Sequence, residues 1–281
     1  MKNKTIHIIG AGGPAGVGMT RCLKDAFIVT GEDDSQWGRL MMEAVAPGKS
    51  TPSLVLPIPD TSVLALALFG SLNTFLPDRI QLEFCKDKAK TAELLGELAP
   101  KTYWLRDTEG AGGKGAQMLT NYLPGKNYSV EFVFLEGQKL AHFQKERISY
   151  AVSHKTDGLE NRGSSAVSIC TNRDDVTNIA LEALSKLATH TGTKLHGFYG
   201  VDIKCDENGS PKVTEINAGR LLTASYCYYD LTGYNLPLIG VKAFLNEPYE
   251  NHFEYPEGWG IIRQIGQEPR LFDPSITKNW S

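Results

Sequence analysis

Asp202, Glu215 and Asn217 are the side chains whose types and spacing point most directly to chemistry. They lie in two alternating runs on either side of Asn208-Gly209, the strongest short-range signal for a β-hairpin. A two-residue turn at that pair sets Asp202 directly opposite Glu215 and Ile203 opposite Thr214. Asn217 then falls two residues beyond Glu215 on the same face. Val201 and Ile216 share the other face, so burial and turn select the same register. Opposed residues have Cβ atoms roughly 4.5–5.5 Å apart, where like charges repel. Two carboxylates and a carboxamide on one face therefore call for a hard cation. Mg²⁺ is the natural one, with Mn²⁺ also compatible, commonly held by one or two carboxylates together with phosphate oxygens. The alternative is a solvated face on which Lys204 neutralises the pair. A calcium loop counted back from Gly209 is excluded, because its first ligand position would be Lys204 and its flanks read as strand.

Two glycine-rich segments could meet phosphate. Gly10 to Gly16 follows an apolar run, Thr5 to Ile9, and opens a helical pattern from Val17 to Ala26, as a dinucleotide-binding turn would. Pro14 removes one amide from it, and close helix–strand packing explains the same glycines. The second segment runs from Gly110 through Gly112, Gly113, Lys114 and Gly115. It stands between strands and reads as a flexible flap with a cation at its tip. Such a flap suits closing over polyphosphate, with Arg106 as a second phosphate contact; a mobile surface loop is the alternative.

The elements that must position these groups follow from periodicity. Strands are expected at Thr5 to Ile9, Phe27 to Thr30 and Leu54 to Ile58, with a helix over Ser62 to Leu68. This βαβ opening predicts a parallel sheet. One helix is expected over Lys86 to Leu95, ended by Gly96 and Pro100. Lys101 to Arg106 reads as a strand, and Ser129 to Leu135 with Lys139 to Gln144 as a hairpin around Glu136-Gly137. The stripe Val176, Ile179, Ala180, Ala183, Leu184, Leu187 marks a helix with a core face. The fold class is α/β: an N-terminal Rossmann-like parallel-sheet domain (residues 1–83) followed by an α+β domain (84–281). The second divides into a short first subdomain (about 84–120), a second subdomain (about 121–250) and a tail (251–281).

Net charge is −3, which leaves no overall cationic footprint for nucleic acid. Five cysteines without a C-x-x-C pair argue against a disulfide framework or a zinc site, and the six histidines show no metal spacing. The apolar run from Val63 to Phe69 is too short to span a bilayer. The start Met1-Lys2-Asn3-Lys4 runs into a strand without a signal-peptide pattern, so a cytoplasmic protein without membrane partners is expected. A homodimer is compatible with the sequence.

Arg106 with Gly110-Ala-Gly-Gly-Lys-Gly115, then Tyr122-Leu123-Pro124-Gly125 leading to Glu131, then Asp202 with Glu215-Ile-Asn217, resembles the ATP-grasp superfamily. The likeness covers roughly residues 5 to 245, and its flavour is that of the carbamoyl-phosphate synthase large subunit. Gly12-Gly13-Pro14-Ala15-Gly16 and Asp87-Lys88 also fit that group. The resemblance implies an ATP-grasp fold for the α+β domain, with ATP and Mg²⁺ as cofactors. It implies Asp202, Glu215 and Asn217 as metal ligands and Arg106 as a phosphate contact, with Gly112, Gly113, Lys114 and Gly115 closing over the phosphates. Tyr122 and Leu123 match the hinge that reads adenine, Glu131 a ribose contact and Lys88 a basic residue near the nucleotide. Arg220 matches the arginine that steadies an acyl phosphate and its tetrahedral successor, and Arg147 a contact to triphosphate or substrate carboxylate.

This chain departs from the pattern in two places. Seventeen residues separate Lys88 from Arg106, so the first subdomain is trimmed, and Arg220 comes one residue later after Asn217 than in the common Asn-Pro-Arg form. The implied activity is an ADP-forming ligase that joins a small carboxylate to an amine or related nucleophile through an acyl phosphate. The rivals are an ATP-binding module without ligase activity and an NAD-dependent enzyme using Gly10 to Gly16. His154 to Ser165 and Leu221 to Tyr234, with its four tyrosines, are the stretches expected to shape the acceptor pocket.

Overall fold

A computed structural model describes residues 4–32, 53–58, 60–69, 73–105, 117–150, 165–249, 254–264 and 267–280. The short apolar runs at the N-terminus form strands β1 (Thr5–Ile9), β2 (Ile28–Glu32) and β3 (Leu54–Pro57). They make the expected parallel sheet, ordered β2-β1-β3. Helix α1 (Pro14–Leu23) connects β1 to β2, and α2 (Asp60–Phe69) follows β3. Pro14 sits at the first turn of α1, where its missing N–H would have no helical partner anyway.

The glycines of this opening are occupied by packing. A Cβ on Gly16 would lie 2.1 Å from the Gly10 carbonyl oxygen, and one on Gly31 would lie 2.4 Å from the Ala11 Cβ. Helix and strand can approach this closely only without side chains there. Gly16→Ala is expected to cost about 1–3 kcal/mol, the usual price of overpacking, read as a lower urea midpoint. An unchanged midpoint would sink the packing account of this loop.

The helix expected over Lys86 to Leu95 is two helices, α3 (Arg79–Lys86) and α4 (Lys88–Leu95). Asp87 breaks them: its backbone is extended, and its carboxylate accepts from the N–H groups of Ala89 and Lys90 at 3.0 and 3.1 Å. Asp78 caps α3 in the same manner. Aspartate satisfies orphan N–H donors at a helix start, so the run of good helix formers yields to a cap. Strands β4 (Thr102–Leu105) and β5 (Gln117–Thr120) then pair antiparallel. Arg106 and the segment from Gly110 to Gly115 lie outside the described residues.

The central sheet has seven antiparallel strands: β6 (Asn127–Leu135), β7 (Gln138–Tyr150), β8 (Ser165–Cys170), β9 (Gly197–Cys205), β10 (Pro211–Ala218), β11 (Gly260–Ile262) and β12 (Arg270–Phe272). Their order is β10-β9-β6-β7-β8-β11-β12. One face carries Val130, Phe132, Val201 and Ile216 against α5 (Asp174–Thr191), whose Val176, Ala180, Ala183, Leu184 and Leu187 are buried. The opposite face is divided. At one end Val133, Phe143 and Phe198 join the Ile6, Ile8 and Leu23 side chains of the N-terminal unit. Helices α6 (Tyr226–Thr232) and α7 (Leu236–Phe244) complete that core. At the other end the same face is polar, and it carries the site.

Tyr226, Tyr228 and Tyr229 are fully buried in this core, and Tyr234 donates its hydroxyl to the His142 carbonyl at 2.8 Å. They are packing residues and not the walls of a substrate pocket. Among the described residues no helix is long and apolar enough to cross a membrane.

Candidate functional site

The β9–β10 hairpin forms, but by a different turn. Its loop spans residues 206–210 rather than two residues. Asp206 Oδ1 accepts from the N–H groups of Asn208 and Ser210, each at 2.9 Å, and Gly209 takes φ +79°. Next to the loop, Val213 pairs with Ile203, the position expected of Thr214. A β-bulge follows at Thr214, and beyond it Glu215 opposes Asp202 and Ile216 opposes Val201, as the sequence predicts.

Burial explains the bulge. Val213 and Ile216 both pack into the α5 cluster. Residues an odd number apart share a face only if one residue between them is extruded. Thr214 is that residue, exposed, with its hydroxyl on the Asp202 carbonyl at 3.0 Å.

The three predicted metal ligands come together. Asn217 Nδ2 donates to Asp202 Oδ2 at 3.3 Å. Each ligand also has a basic partner. Arg147 donates to Asp202 Oδ1, Arg220 donates to Asn217 Oδ1, and Lys88 Nζ lies 3.2 Å from Glu215 Oε1. The helix break at Asp87 puts Lys88 at the first position of α4, from which it reaches β10. Burial works against the Arg147 charge, yet Asp202 and the Tyr150 hydroxyl raise its pKa above the ordinary value.

Cavities run along this edge. One, of about 940 Å³, lies between α4, Lys101-Thr102, the segment 121–124 and the 206–212 turn. Tyr122 and Leu123 line it; Tyr122 is 78% exposed with Lys204 Nζ 5.0 Å above its ring, and Leu123 is buried. Next comes a narrow cavity between α4 and β10 that reaches Lys88 and Glu215. Another joins Lys88 and Glu215 to Asn217 and Arg220. The last, about 200 Å³, holds Arg147, Asp202, Glu215, Asn217 and Arg220, with Lys145, Ser165 and the segment 222–224. Neighbouring cavities share lining residues, Glu215 lining three of them, so they follow one another along a path from Tyr122 to β8.

Glu131 is not on that path. It is fully buried, accepting from the Leu222 N–H at 2.8 Å and from the Ser225 hydroxyl, with Lys145 Nζ 3.5 Å away. A ribose contact would require breaking this network, so the structure gives Glu131 an internal role instead. Lys145 is the residue that sequence reasoning missed. It is 1% exposed, donates to Ser225 and is pushed down to about 8 by burial, with Glu131 opposing the shift. The signal was present in Gln144-Lys145-Glu146-Arg147: strand alternation puts Lys145 on the same face as Arg147. Across the sheet Lys145 pairs with Ser129, and Ser129 with Asp202.

Among the described residues no three His, Cys, Asp or Glu side chains cluster as a metal site. The candidate set is two carboxylates and an amide. Its oxygens suit a hard cation that takes its remaining ligands from phosphate and water. Asp202 and Glu215 are opposed across the strand pair and part-exposed, so the residues fit such an ion.

A model of the ATP-grasp domain matches residues 85–224. No curated protein matches the chain. Among solved structures, an ATP-grasp superfamily protein from Archaeoglobus fulgidus aligns with TM-score 0.61 and 16% identity, over 96% of this chain and 98% of that one. N5-carboxyaminoimidazole synthetase from Staphylococcus aureus, complexed with ADP, aligns with TM-score 0.64 and 15% identity, over 95% and 84%. D-alanine–D-alanine ligase from Bacillus anthracis, complexed with ATP, aligns with TM-score 0.54 and 12% identity, over 88% and 100%. At these identities the likeness is one of fold. The family match lies in residues 85–224, and through them this chain belongs to the ATP-grasp superfamily.

Proposed function

We propose that the chain is an ADP-forming ligase that activates a small carboxylic acid as an acyl phosphate and transfers the acyl group to an amine or related nucleophile. The observation that carries this reading is the opposed Asp202–Glu215 pair with Asn217, ringed by Arg147, Lys88 and Arg220 at the end of a row of cavities. The wide cavity at Tyr122 and Leu123 has room for the nucleoside, whose phosphates would then run past Lys88 toward Arg220. A Mg²⁺ ion bound with them would neutralise phosphate charge and orient the γ-phosphoryl group.

The protein's own contribution is position and charge. Arg220 and Arg147 face the space where the acid's oxygen would meet phosphorus. Their guanidinium groups suit an acyl phosphate and the oxyanion formed when the nucleophile adds. None of these roles needs a covalent nucleophile from the chain. The likeness to the carbamoyl-phosphate synthase large subunit is a finer reading that rests on sequence motifs alone.

The test is isotopic. An ¹⁸O-carboxylate substrate found by screening acids and amines for ADP release should pass one label to the inorganic phosphate. ADP release without label transfer would rule out the acyl phosphate. ATP binding without ADP release across the whole screen would favour a non-catalytic nucleotide module, a reading that the internally paired ligands also allow.

A further inference from the structure

Two walls of the 940 Å³ cavity come from distant parts of the chain. Tyr122, Leu123 and Pro124 line one, and Asp206, Glu207 and Lys212 of the β9–β10 hairpin line the other. They meet at Gly125, whose N–H donates to the Cys205 carbonyl at 3.0 Å. A Cβ there would lie 2.6 Å from the Asp206 carbonyl oxygen. On the reverse face of the sheet, beside α5, a chain of polar contacts reaches both walls. We propose that Tyr128, Glu146 and Arg173 are positioning residues that hold the two walls in register and so set the width of the nucleoside site. The nucleoside as occupant rests on the ligase reading, whereas the link between the walls rests on geometry alone.

The link is continuous. Tyr128 and Glu146 oppose each other across β6 and β7, and both are buried. Lys126, which ends the segment carrying the first wall, places its Nζ 3.1 Å from Glu146 Oε1 and 3.2 Å from Oε2. The Tyr128 hydroxyl donates to Glu146 Oε2 at 3.3 Å and accepts from Arg173 Nη1 at 3.1 Å. Arg173 Nη2 donates in turn to the Gly209 carbonyl at 3.5 Å, in the loop of the second wall. One hydroxyl, using its donor and an acceptor lone pair, therefore joins the two sides.

The far end of the link is itself fixed. Gln144 is fully buried; its side chain accepts from the Arg173 N–H at 2.9 Å and donates to the Arg173 carbonyl at 2.8 Å. Asp175 accepts from the Arg173 guanidinium at 3.0 Å and orients it. Packing alone would be met by an apolar residue at 146, as it is by Val130 and Phe132 on the same face. A buried carboxylate is costly unless paired. Its pairing here falls on the lysine that ends the first wall, which ties that wall to the sheet. Tyr128, Glu146 and Arg173 do not line the cavity, so they act on its occupant through the walls.

Tyr128→Phe keeps the ring that Arg173 covers at 5.2 Å and removes only the joining hydroxyl. Residue-resolved hydrogen exchange on the ligand-free chain reads the walls directly. The amides of Gly125 and Gly209, bonded to the Cys205 and Asp206 carbonyls, should exchange about fivefold faster in the variant. Those of Leu184 and Leu187 in α5 should keep the parent's rate. Calorimetry with a non-hydrolysable ATP analogue and Mg²⁺ should show affinity lowered about fivefold. Glu146→Gln keeps an acceptor for Tyr128 and weakens only the pairing with Lys126. It should speed exchange at Gly125 and leave Gly209 unchanged.

Faster exchange in both walls of Tyr128→Phe, with α5 unchanged, supports the link. An equal rise throughout α5 would show a general loss of stability and overturn it, as would parental exchange at either glycine. Equal affinity of the parent and Tyr128→Phe for the analogue would also overturn it. A parent that does not bind the analogue would sink the ligase reading, and exchange at the two glycines would then decide the link by itself.

Discussion

On the proposed ligase reading, Asp202→Asn should lower nucleotide-dependent ADP formation by roughly 10²–10³-fold, because loss of a metal ligand would remove several kcal/mol of charge stabilisation. Its thermal midpoint should change little. Asparagine is the informative replacement because of Arg147. That guanidinium is only 17% exposed and bonded to Asp202 Oδ1, and an amide oxygen can still accept from it. Alanine would leave it without that acceptor and would mix a folding defect with the chemical one. A weaker response to Mn²⁺ titration, followed by the metal's own spectrum in the presence of ADP, gives a readout separate from turnover. Full turnover and unchanged Mn²⁺ binding in Asp202→Asn would remove Asp202 from the metal site. Glu215→Gln should behave alike with a smaller folding effect, since Lys88 is 61% exposed at the side chain and its pairing with Glu215 contributes little to stability.

Glu131→Ala should be the most destabilising single change in the described residues of the site, costing about 3–5 kcal/mol, the usual penalty for leaving a buried charge without its partner. Lys145 and Glu131 are 1% and 0% exposed. Removing the carboxylate strands the ammonium and also orphans the Leu222 N–H and the Ser225 hydroxyl. Equilibrium urea unfolding measures the loss. Adding Lys145→Met to Glu131→Ala should recover much of it, because the stranded charge is then gone. A Glu131→Ala protein as stable as the parent would mean that the carboxylate contacts something other than this network.

Much of the architecture follows from local pattern. Thr5–Ile9, Asn127–Leu135, Asp174–Thr191 and the paired strands around Asn208-Gly209 are each written in a stretch of five to eighteen residues. Alternation or helical spacing within such a stretch decides which side chains face a core. The same holds for the opposition of Asp202 and Glu215: both strands flank one short loop, and their buried faces fix the register. Local reading faltered where two local preferences compete. Asp87 is a tolerable helix residue and a good cap, and the cap prevails because it satisfies two N–H groups at the start of α4. The 206–210 loop and the bulge at Thr214 depart from a two-residue turn and compensate each other, since Val213 and Ile216 must both reach the α5 face.

By itself, then, the sequence determined that Asp202 opposes Glu215 with Asn217 close by, and the kind of domain that carries them. Tertiary structure alone decided what surrounds that set. Lys145 reaches the site because β7 is the second neighbour of β9 across β6, a strand order joining residues more than fifty positions apart. Glu131 turns inward because the chain after Asn217 folds back and lays the Leu222 N–H against it. Such contacts depend on which strands lie side by side, and alternation within a strand carries no information about its neighbours.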